Sequence, residues 1–329
     1  MNPKMLLTVA VFLACALPPV ARAGSLSTEA IAMFPQNAGK VAYADLRQAR
    51  QLTWFPQLQE QMLPERFRQF ERFLVSAGVD PDSQVDELAW ALVPADLPAG
   101  AARNAVPADE EVVGVALGSF WPEKTEAYFK AKKLAAVRVS DYSLYAFGGS
   151  GNLFFCFIDS NTAAFGERKE LEKLIAVRYG EEQSLLSNTD LAPLISQANG
   201  NGVVWAALSA PYARLAMQQL APQTAEFPQA QQLVSKLRAL TLEISAGSSI
   251  RTQFEAVCAS PADANAFTVL LQAALLYQRY QVASSNPDLA AMLGQAEVAP
   301  SGDRLDVTMA LTDDQVVGLI QRNTFAIHM

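Results

Sequence analysis

Histidine is nearly absent from this chain, and its scarcity removes whole classes of catalytic site. The only histidine among the 329 residues is His328, one position before the C-terminus. A Ser-His-Asp or Cys-His site needs an imidazole held by a third group on a rigid scaffold, which a terminal position does not offer. Motifs of the forms G-x-x-x-x-G-K-[ST], G-x-G-x-x-G and G-x-S-x-G are also missing. The sequence therefore predicts no catalytic, cofactor-binding or metal-binding residues.

Cysteine is scarce as well, with Cys15, Cys156 and Cys258 as the three examples. This count excludes a small scaffold held together by many disulfides. Cys156 and Cys258 each lie in an apolar, strand-like run, "LFFCFID" and "FEAVCAS". We expect two buried free thiols there, while a single bridge between them stays open as the alternative.

Clusters of basic residues are missing too. The chain has 25 lysines and arginines against 33 aspartates and glutamates. Removing residues 1–23 takes away Lys4 and Arg22, which leaves 23 basic against 33 acidic residues, a net charge of −10. An acidic protein without a basic block has no electrostatic footprint for phosphate backbones or for anionic lipid headgroups. Nucleic acid is therefore excluded as an expected partner.

The longest apolar runs are too short to cross a membrane, and the one at the N-terminus has the form of a secretory signal. Lys4 precedes an apolar run from Met5 to Leu17, and the small residues of Ala21-Arg22-Ala23 follow two prolines. We expect cleavage after Ala23 and a periplasmic or secreted protein without a transmembrane helix in the mature chain. The alternative is a lipoprotein anchored through Cys15, because "FLAC" weakly resembles a lipoprotein box.

The mature chain alternates apolar strands with amphipathic helices whose starts carry capping signals. Asp45, Ser260 and Thr312 are the clearest candidate N-caps, since each precedes a helical pattern with a matching polar residue three positions later. The pattern predicts strands near 40–45, 86–93, 111–118, 136–147, 153–158, 162–165, 202–208, 239–246, 249–257, 296–299 and 304–311. It predicts helices across 46–77, 122–134, 167–178, 211–237, 261–282 and 312–321.

The order of these elements repeats. "GKVAYADLRQAR" and "NGVVWAALSAPYAR" open two similar series, and "DELAWAL" corresponds to "RALTLEIS". The prediction is an α+β fold made by tandem duplication of a split βαβ, ferredoxin-like sandwich, with mainly antiparallel sheets and helices on one face. The expected boundaries are a signal peptide at 1–23, copies at 24–185 and 186–322, and a loose tail at 323–329. The Pro- and Ala-rich segment 94–110 is the expected mobile loop.

Four acidic residues, Asp80, Asp82, Asp86 and Glu87, crowd into the stretch "GVDPDSQVDEL". An EF-hand loop counted from Asp80 would need glycine at its sixth position and glutamate at its twelfth, and both are missing. A turn accounts for every residue instead, because Gly78 suits a left-handed helix end and Pro81 stops the helix from continuing. The stretch is predicted to connect a helix to a strand.

Aromatic residues supply the remaining candidates for function. Phenylalanines between residues 67 and 73 recur at helical spacing and predict a helix packed on a sheet. Trp54, Phe55 and Met62 lie on an irregular connection, and Phe120 and Trp121 lie at a strand end. We interpret these five residues as possible contacts with a partner.

The leader, the opening "FPQNAGKVAYADL", the "GVDPDSQVDEL" turn and the repeated strand–helix units resemble a loose group of exported bacterial proteins of unknown function. The resemblance implies an extracytoplasmic protein without known catalytic residues. Our expectation is a non-catalytic binding or scaffolding protein of the bacterial envelope, with an envelope protein or a small molecule as its partner and no cofactor. The alternative is a histidine-independent hydrolase that uses Ser/Lys or carboxylate groups in the groove between the two copies.

Overall fold

The computed structural model describes residues 24–57, 65–76, 78–94, 110–147, 152–220, 228–247 and 249–321. Within these ranges twelve strands join a single sheet. The strands are β1 Lys40–Asp45, β2 Val85–Pro94, β3 Glu110–Gly118, β4 Ala136–Val139, β5 Tyr142–Phe147, β6 Leu153–Phe157, β7 Thr162–Glu167, β8 Val204–Ser209, β9 Leu237–Ala246, β10 Ile250–Cys258, β11 Glu297–Ser301 and β12 Arg304–Leu311.

Helices connect the strands and cover the sheet. They are α1 Thr28–Ala32, α2 Leu46–Ala49, α3 Glu65–Ser76, α4 Pro81–Gln84, α5 Pro122–Ala131, α6 Arg168–Arg178, a 3₁₀ turn Leu185–Ser187, α7 Ala192–Ala198, α8 Ala210–Leu220, α9 Pro228–Ser235, α10 Pro261–Val282, α11 Pro287–Gly294 and α12 Asp313–Gln321. No described helix combines the length and apolarity that a membrane crossing requires.

The strand order across the sheet is β11-β12-β10-β9-β8-β1-β2-β3-β7-β6-β5-β4, and every neighbouring pair is antiparallel. The predicted α+β class with mainly antiparallel pairing is therefore correct. The two predicted copies contribute to one continuous sheet, because β1 of the first pairs with β8 of the second. Tyr43 and Trp205 are opposite each other in this pair, and their rings stack with centroids 5.6 Å apart.

The split βαβ order expected from the sequence is not the order observed. In a split βαβ unit, the two strands joined through a helix are parallel and a third strand lies between them. Here β1 and β2 are joined through helices, but they are direct neighbours and antiparallel. Capping and alternation locate strands and helices along the chain without stating which strands pair, so the sequence pattern could not distinguish these two orders.

Helices also cover both faces of the sheet, where one covered face was expected. Val41 and Tyr43 of β1 pack with Leu171 and Leu174 of α6 on one face. Ala42, between them in sequence, packs on the other face with residues of α8 and α10. Successive side chains of a strand point to opposite faces. A strand buried on both faces therefore reads as a continuous apolar run, as β1 does.

The capping signals hold in the structure. The Asp45 side chain accepts a hydrogen bond from the Gln48 backbone N–H at 2.9 Å, where α2 begins. The Ser260 hydroxyl accepts one from the Asp263 backbone N–H at 3.2 Å, and Pro261 occupies the first turn of α10. Each cap satisfies a backbone donor that a first helical turn leaves free, which explains why α10 begins where the sequence predicts.

The acidic stretch after α3 is a connection, as predicted. Gly78 has φ of 77°, a left-handed conformation that ends the helix. The Asp80 carboxylate accepts hydrogen bonds from the Asp82 backbone N–H at 3.1 Å and the Ser83 hydroxyl at 2.7 Å. It thereby caps the short helix α4, and β2 begins at Val85.

The two cysteines within the described residues are free and buried, as expected. Cys156 belongs to the core on the α6 face, whereas Cys258 belongs to the core beneath α10. Burial raises the pKa of the Cys156 thiol to about 12 and that of the Cys258 thiol to about 11. Both thiols therefore stay protonated at neutral pH.

Candidate ligand-binding pocket

Trp54 and Phe55, predicted as an exposed contact patch, belong to the core. Trp54 is 5% exposed and packs with Ile250, Leu311 and residues of α12. Its indole Nε1–H donates a hydrogen bond to Asp313 Oδ1 at 3.2 Å, and Phe55 packs partly buried against the same cluster. The expectation of a surface patch here is therefore wrong. The partner that buries Trp54 lies more than 250 residues away in the chain, and a local pattern does not reveal it.

The second predicted patch is divided between core and surface. Phe120 is 4% exposed and packs against Phe157, with ring centroids 5.8 Å apart. Trp121 is 60% exposed, and Lys124 places its ammonium group 5.3 Å from the ring centroid. Met62 lies outside the described residues. Trp121 is therefore the single exposed ring among the predicted contact residues that the structure describes.

An apolar pocket that the sequence did not suggest lies between α10 and the sheet. Its volume is about 330 Å³. Its floor comes from β9, β10 and β12, and its roof from α10, with smaller contributions from α8, α11 and the residue before β11. The lining residues are Met217, Leu237, Leu240, Phe254, Ala256, Phe267, Leu271, Ala274, Leu275, Gln278, Leu293, Ala296, Leu305, Val307 and Met309.

The floor follows from strand alternation. Leu305, Val307 and Met309 occupy every second position of β12 and point to the same face. Phe254 and Ala256 do the same on β10, which pairs with β12 so that Phe254 is opposite Val307. The small side chain of Ala256 lies between larger neighbours, and this difference in size leaves space above the middle of the sheet.

The roof follows from the helical repeat of α10. Phe267, Leu271, Ala274 and Gln278 recur at steps of three and four residues, so they share the face that points at the sheet. The Gln272 amide donates a hydrogen bond to the Val298 carbonyl oxygen at 3.1 Å and holds the helix over the edge strand β11. Ala274 adds a second small side chain to the lining.

The chemistry of the pocket is apolar. Among the described residues that line it, Gln278 is the only one with a polar side chain, and none carries a titratable acid or base. A water molecule in a protein interior needs two to four polar partners, which these walls do not supply. Pockets of a few hundred cubic ångströms, with apolar walls and few polar groups, are typical of sites for small organic molecules.

Comparison with known proteins adds information on the fold alone. No family model matches the chain, and no curated protein matches it. Crystal form III of TP0453 superposes with a TM-score of 0.50 at 11% sequence identity, covering 90% of this chain and 99% of that one. Crystal form I of TP0453 superposes with a TM-score of 0.49 at 11% sequence identity, covering 92% of this chain and 100% of that one. At this identity the likeness supports a shared α+β architecture and says nothing about activity.

A group of titratable residues with shifted pKa values lies away from the pocket. Burial lowers the pKa of Lys40 on β1, and Glu110 on β3 opposes that shift. Burial raises the pKa of Glu110 in turn, and Lys40 opposes it. Tyr212 on α8 has its pKa raised by burial and by Glu110. These three groups lie near the β1–β8 junction of the sheet, where the sequence predicted a groove between the copies.

Sequence reasoning missed the pocket because its signal is weak. Ala256 lies in an apolar strand and Ala274 in an apolar helix, and both residues are common in ordinary cores. A single sequence does not show that two alanines line the same space. The one available hint was that α10 is apolar on more than one side, as "AFTVLLQAALLY" indicates.

Proposed function

We propose that this chain is an exported binding protein of the bacterial envelope, periplasmic or secreted, whose ligand is an apolar small molecule held between α10 and the sheet. The observation that carries the proposal is the pocket of about 330 Å³ with apolar walls and one polar side chain, Gln278. The lining residues that the structure describes include no titratable group, which favours binding over catalysis, since general acid–base and nucleophilic chemistry need such groups.

The energetics favour a filled pocket. Leaving a closed apolar cavity empty costs about 24 cal/mol per Å³, so a space of this volume would cost at most about 8 kcal/mol. The pocket opens partly to solvent, so the actual cost is below this upper bound. An apolar ligand would regain the contacts that the walls lack and would raise the thermal midpoint of the protein.

Export is supported by the N-terminal pattern of Lys4, the apolar run 5–17 and the small residues before Gly24. An apolar ligand has low solubility in water, and an extracytoplasmic protein with a covered apolar pocket could carry it. Lipid attachment through Cys15 would change where the protein is held and would leave the pocket unchanged. The intact mass of the mature protein separates the two cases, because a lipid on Cys15 adds mass that cleavage after Ala23 does not.

The test is to fill the pocket from within. We expect Ala274→Phe to place a ring among the lining residues and to weaken binding of a fluorescent apolar probe at least tenfold. Ala273→Phe is the matched control, because Ala273 is the neighbouring residue on the same helix and is exposed. The control should bind the probe like the unmodified protein. Equal probe binding by all three proteins, each folded by circular dichroism, would contradict the proposal.

The natural ligand can be sought directly. The protein purified from its own envelope would be extracted with organic solvent, and the extract analysed by mass spectrometry. We expect an apolar molecule that is depleted from an Ala274→Phe preparation and present with Ala273→Phe. An extract with the same molecules in both variants would place them outside the pocket.

The competing proposal, a histidine-independent hydrolase in the groove between copies, has one observation in its favour. Lys40, which lies at the β1–β8 junction, is partly buried and has a lowered pKa, a property of catalytic lysines. Ser209 lies near it in the β1–β8 ladder, but strand alternation places Lys40 and Ser209 on opposite faces of the sheet. Substrate-profiling with Lys40→Met distinguishes this proposal, since the hydrolase would lose its activity while probe binding persisted.

We also propose that the chain arose by duplication. From the central β1–β8 pair outward, the order β1-β2-β3-β7-β6 on one side corresponds to β8-β9-β10-β12-β11 on the other. In both series a helical segment follows the first strand and another follows the third. The pocket belongs to the second series, under α10, where the first series has the shorter helix α5. On this proposal the binding site developed in one copy after the duplication.

A further inference from the structure

The first described residues of the chain are held in place by a distant part of the fold. The Leu26 backbone N–H donates a hydrogen bond to the Asn199 side-chain oxygen at 2.9 Å, and the Asn199 amide donates one to the Leu26 carbonyl oxygen at 2.9 Å. Leu26 is buried in the core on the α6 face, and Ser27 caps α1. Gly24 therefore has a defined position, two residues before this anchor.

Gly24 lies against two side chains of β1. A Cβ atom placed on Gly24 would overlap Asp45 Oδ2 and would lie 2.5 Å from the Tyr43 hydroxyl oxygen, so a larger residue does not fit without a shift of these groups. A Cβ atom is about 2.5 Å from the nitrogen of its own residue, which places the Gly24 nitrogen within about 5 Å of both oxygens. The glycine thus brings the backbone nitrogen close to a carboxylate and a phenol.

These two side chains form a buried polar site. Tyr43 and Asp45 are two residues apart on β1 and share a face of the sheet, and Glu87 of β2 is opposite Asp45. Asp45 is 5% exposed; its Oδ1 accepts the Gln48 backbone N–H, and its Oδ2 faces Gly24. Tyr43 is fully buried, and its hydroxyl has no hydrogen-bond partner among the described residues. A buried hydroxyl normally has such a partner.

The charges around this site are mainly negative. Burial raises the pKa of Glu87, and Asp45 and Asp86 add to the rise. Burial also raises the pKa of the Tyr43 hydroxyl, and Glu87 and Asp45 add to that rise. Glu87 is therefore near the hydroxyl, although the two groups do not have the geometry of a hydrogen bond. The neighbouring base, Arg47, is 66% exposed and pairs with Asp86. A cation at Gly24 would offset this negative charge.

We propose that this site binds the α-ammonium group of Gly24, which removal of the leader creates, and that the resulting ion pair fixes the mature N-terminus on β1. The inference rests on the proposed export, because it needs cleavage after Ala23. Hydrolysis of the Ala23–Gly24 peptide bond consumes one water molecule and leaves a carboxylate on Ala23 and an ammonium group on Gly24. The ammonium group has three N–H donors, of which one reaches Asp45 Oδ2 and another the Tyr43 hydroxyl oxygen.

The site requires a particular cleavage position. Cleavage one residue earlier or later moves the ammonium group along the chain by about 3.8 Å, the spacing of consecutive Cα atoms. Before cleavage the Gly24 nitrogen belongs to an uncharged amide with one hydrogen. Cleavage therefore supplies the cation, and it does so beside Tyr43, whose ring stacks on Trp205 where β1 pairs with β8. Processing thus stabilises the junction between the two halves of the sheet.

The first test measures the reactivity of the Gly24 amine. The mature chain is made as a fusion whose tag is removed to leave Gly24 first, and an amine reagent is followed on the N-terminal peptide by mass spectrometry. We expect the amine to react at least tenfold more slowly than in Asp45→Asn, which removes the charge and keeps a good N-cap for α2. Asp190→Asn, at an exposed position, is the control and should react like the unmodified chain.

The second test moves the ammonium group by adding one alanine before Gly24. We expect this extension to lower the thermal midpoint by roughly 2–4 °C in the unmodified chain and to change it little in Asp45→Asn. Tyr43→Phe keeps the test decisive if Asp45→Asn does not fold. It should lower the midpoint of the chain that starts at Gly24 and not that of the extended chain, because loss of a hydroxyl without a partner costs little.

Two results would overturn the proposal alone. The Gly24 amine could react equally fast in the unmodified chain and in Asp45→Asn, or Tyr43→Phe could have the same effect with and without the added alanine. An intact mass of the protein from its own envelope that shows a start other than Gly24 would overturn the proposed cleavage, and this inference with it. The two failures are distinguishable, because removal of the tag sets the Gly24 start without the leader. Circular dichroism confirms that each variant is folded.

Discussion

Glu170 places its carboxyl group against that of Glu111, where α6 packs over the start of β3. The Glu170 side chain is fully buried, and Lys173 Nζ lies 2.6 Å from its Oε1. The Oε2 atoms of both glutamates are buried without an N–H or hydroxyl donor among the described residues. Burial raises the pKa of Glu170, Lys173 opposes that shift, and Glu111 adds to it. A proton shared between the two carboxyl groups satisfies both of them.

This arrangement predicts that stability falls as pH rises. The native state keeps a proton on Glu170 that the unfolded chain releases near its ordinary pKa of 4.5. Above that pH the native state binds more protons than the unfolded state, so the free energy of unfolding decreases until the raised pKa is passed. Replacing Glu111 with glutamine supplies an amide donor to Glu170 and removes the like charge.

We expect Glu111→Gln to raise the thermal midpoint by roughly 2–4 °C at neutral pH and to change it little near pH 4.5, which thermal unfolding at a series of pH values measures. Glu181→Gln is the control, because Glu181 is exposed and should show no effect at either pH. A shift in Glu111→Gln of equal size at both pH values would mean that the carboxyl groups do not share a proton.

Trp54 and Trp121 form a matched pair for a test of burial. Trp54 is 5% exposed and donates its indole N–H to Asp313, whereas Trp121 is 60% exposed. We expect Trp54→Ala to lower the free energy of unfolding by about 3–5 kcal/mol, the usual cost of deleting a buried tryptophan. Trp121→Ala should change it by less than about 0.5 kcal/mol. Urea denaturation measures both, and similar costs would contradict the packing described for Trp54.

Much of the local structure could be predicted from the sequence, because the signals that set it are local. The limits of β1, α10 and β12 match the predicted ones, and capping side chains mark the end of β1 at Asp45 and the start of α10 at Ser260. The prediction of a turn at Asp80 is correct for the same reason: its glycine, its proline and its capping carboxylate are neighbours in the chain.

The remaining features depend on contacts between distant residues. Trp54 is buried by Asp313 and Leu311, and no pattern around residue 54 contains that information. Pairing of β1 with β8 joins segments about 160 residues apart, so alternation within each strand leaves it open. The pocket arises because Ala256 and Ala274 line one space, which is a property of the packed helix and sheet. Sequence reasoning therefore gave the elements and missed the site.

Cys156 and Cys258 predict a protein that resists thiol reagents until it unfolds. Both side chains are fully buried, and burial raises their pKa values to about 12 and about 11, so little thiolate is present near neutral pH. We expect the folded Cys15→Ser chain to react with a disulfide reagent at pH 8 at least a hundredfold more slowly than the same chain in denaturant. Two thiols per chain should appear on unfolding without reductant. Fewer than two would indicate that the pair is bridged.

Arg304 closes a half-buried polar cluster on the face of the sheet opposite the pocket. Its guanidinium pairs with Glu255, whose side chain is 10% exposed, and donates to Gln197 Oε1 at 2.9 Å. The Gln197 amide in turn lies 3.2 Å from both carboxylate oxygens of Glu255. Removing one partner of a buried pair is costly because the other charge is left without its counterion.

We expect Arg304→Met to lower the free energy of unfolding by about 2 kcal/mol, less than the roughly 3–5 kcal/mol of fully buried pairs, because the Arg304 side chain is 37% exposed. Adding Glu255→Met should recover part of that loss, since no unpaired charge then remains. Arg47→Met is the control: its bridge to Asp86 is open to solvent, with side chains 66% and 31% exposed, and should be worth less than about 1 kcal/mol. Urea denaturation of the four proteins measures these losses and the recovery. Equal losses for Arg304→Met and Arg47→Met would show that burial does not strengthen the Glu255 pair.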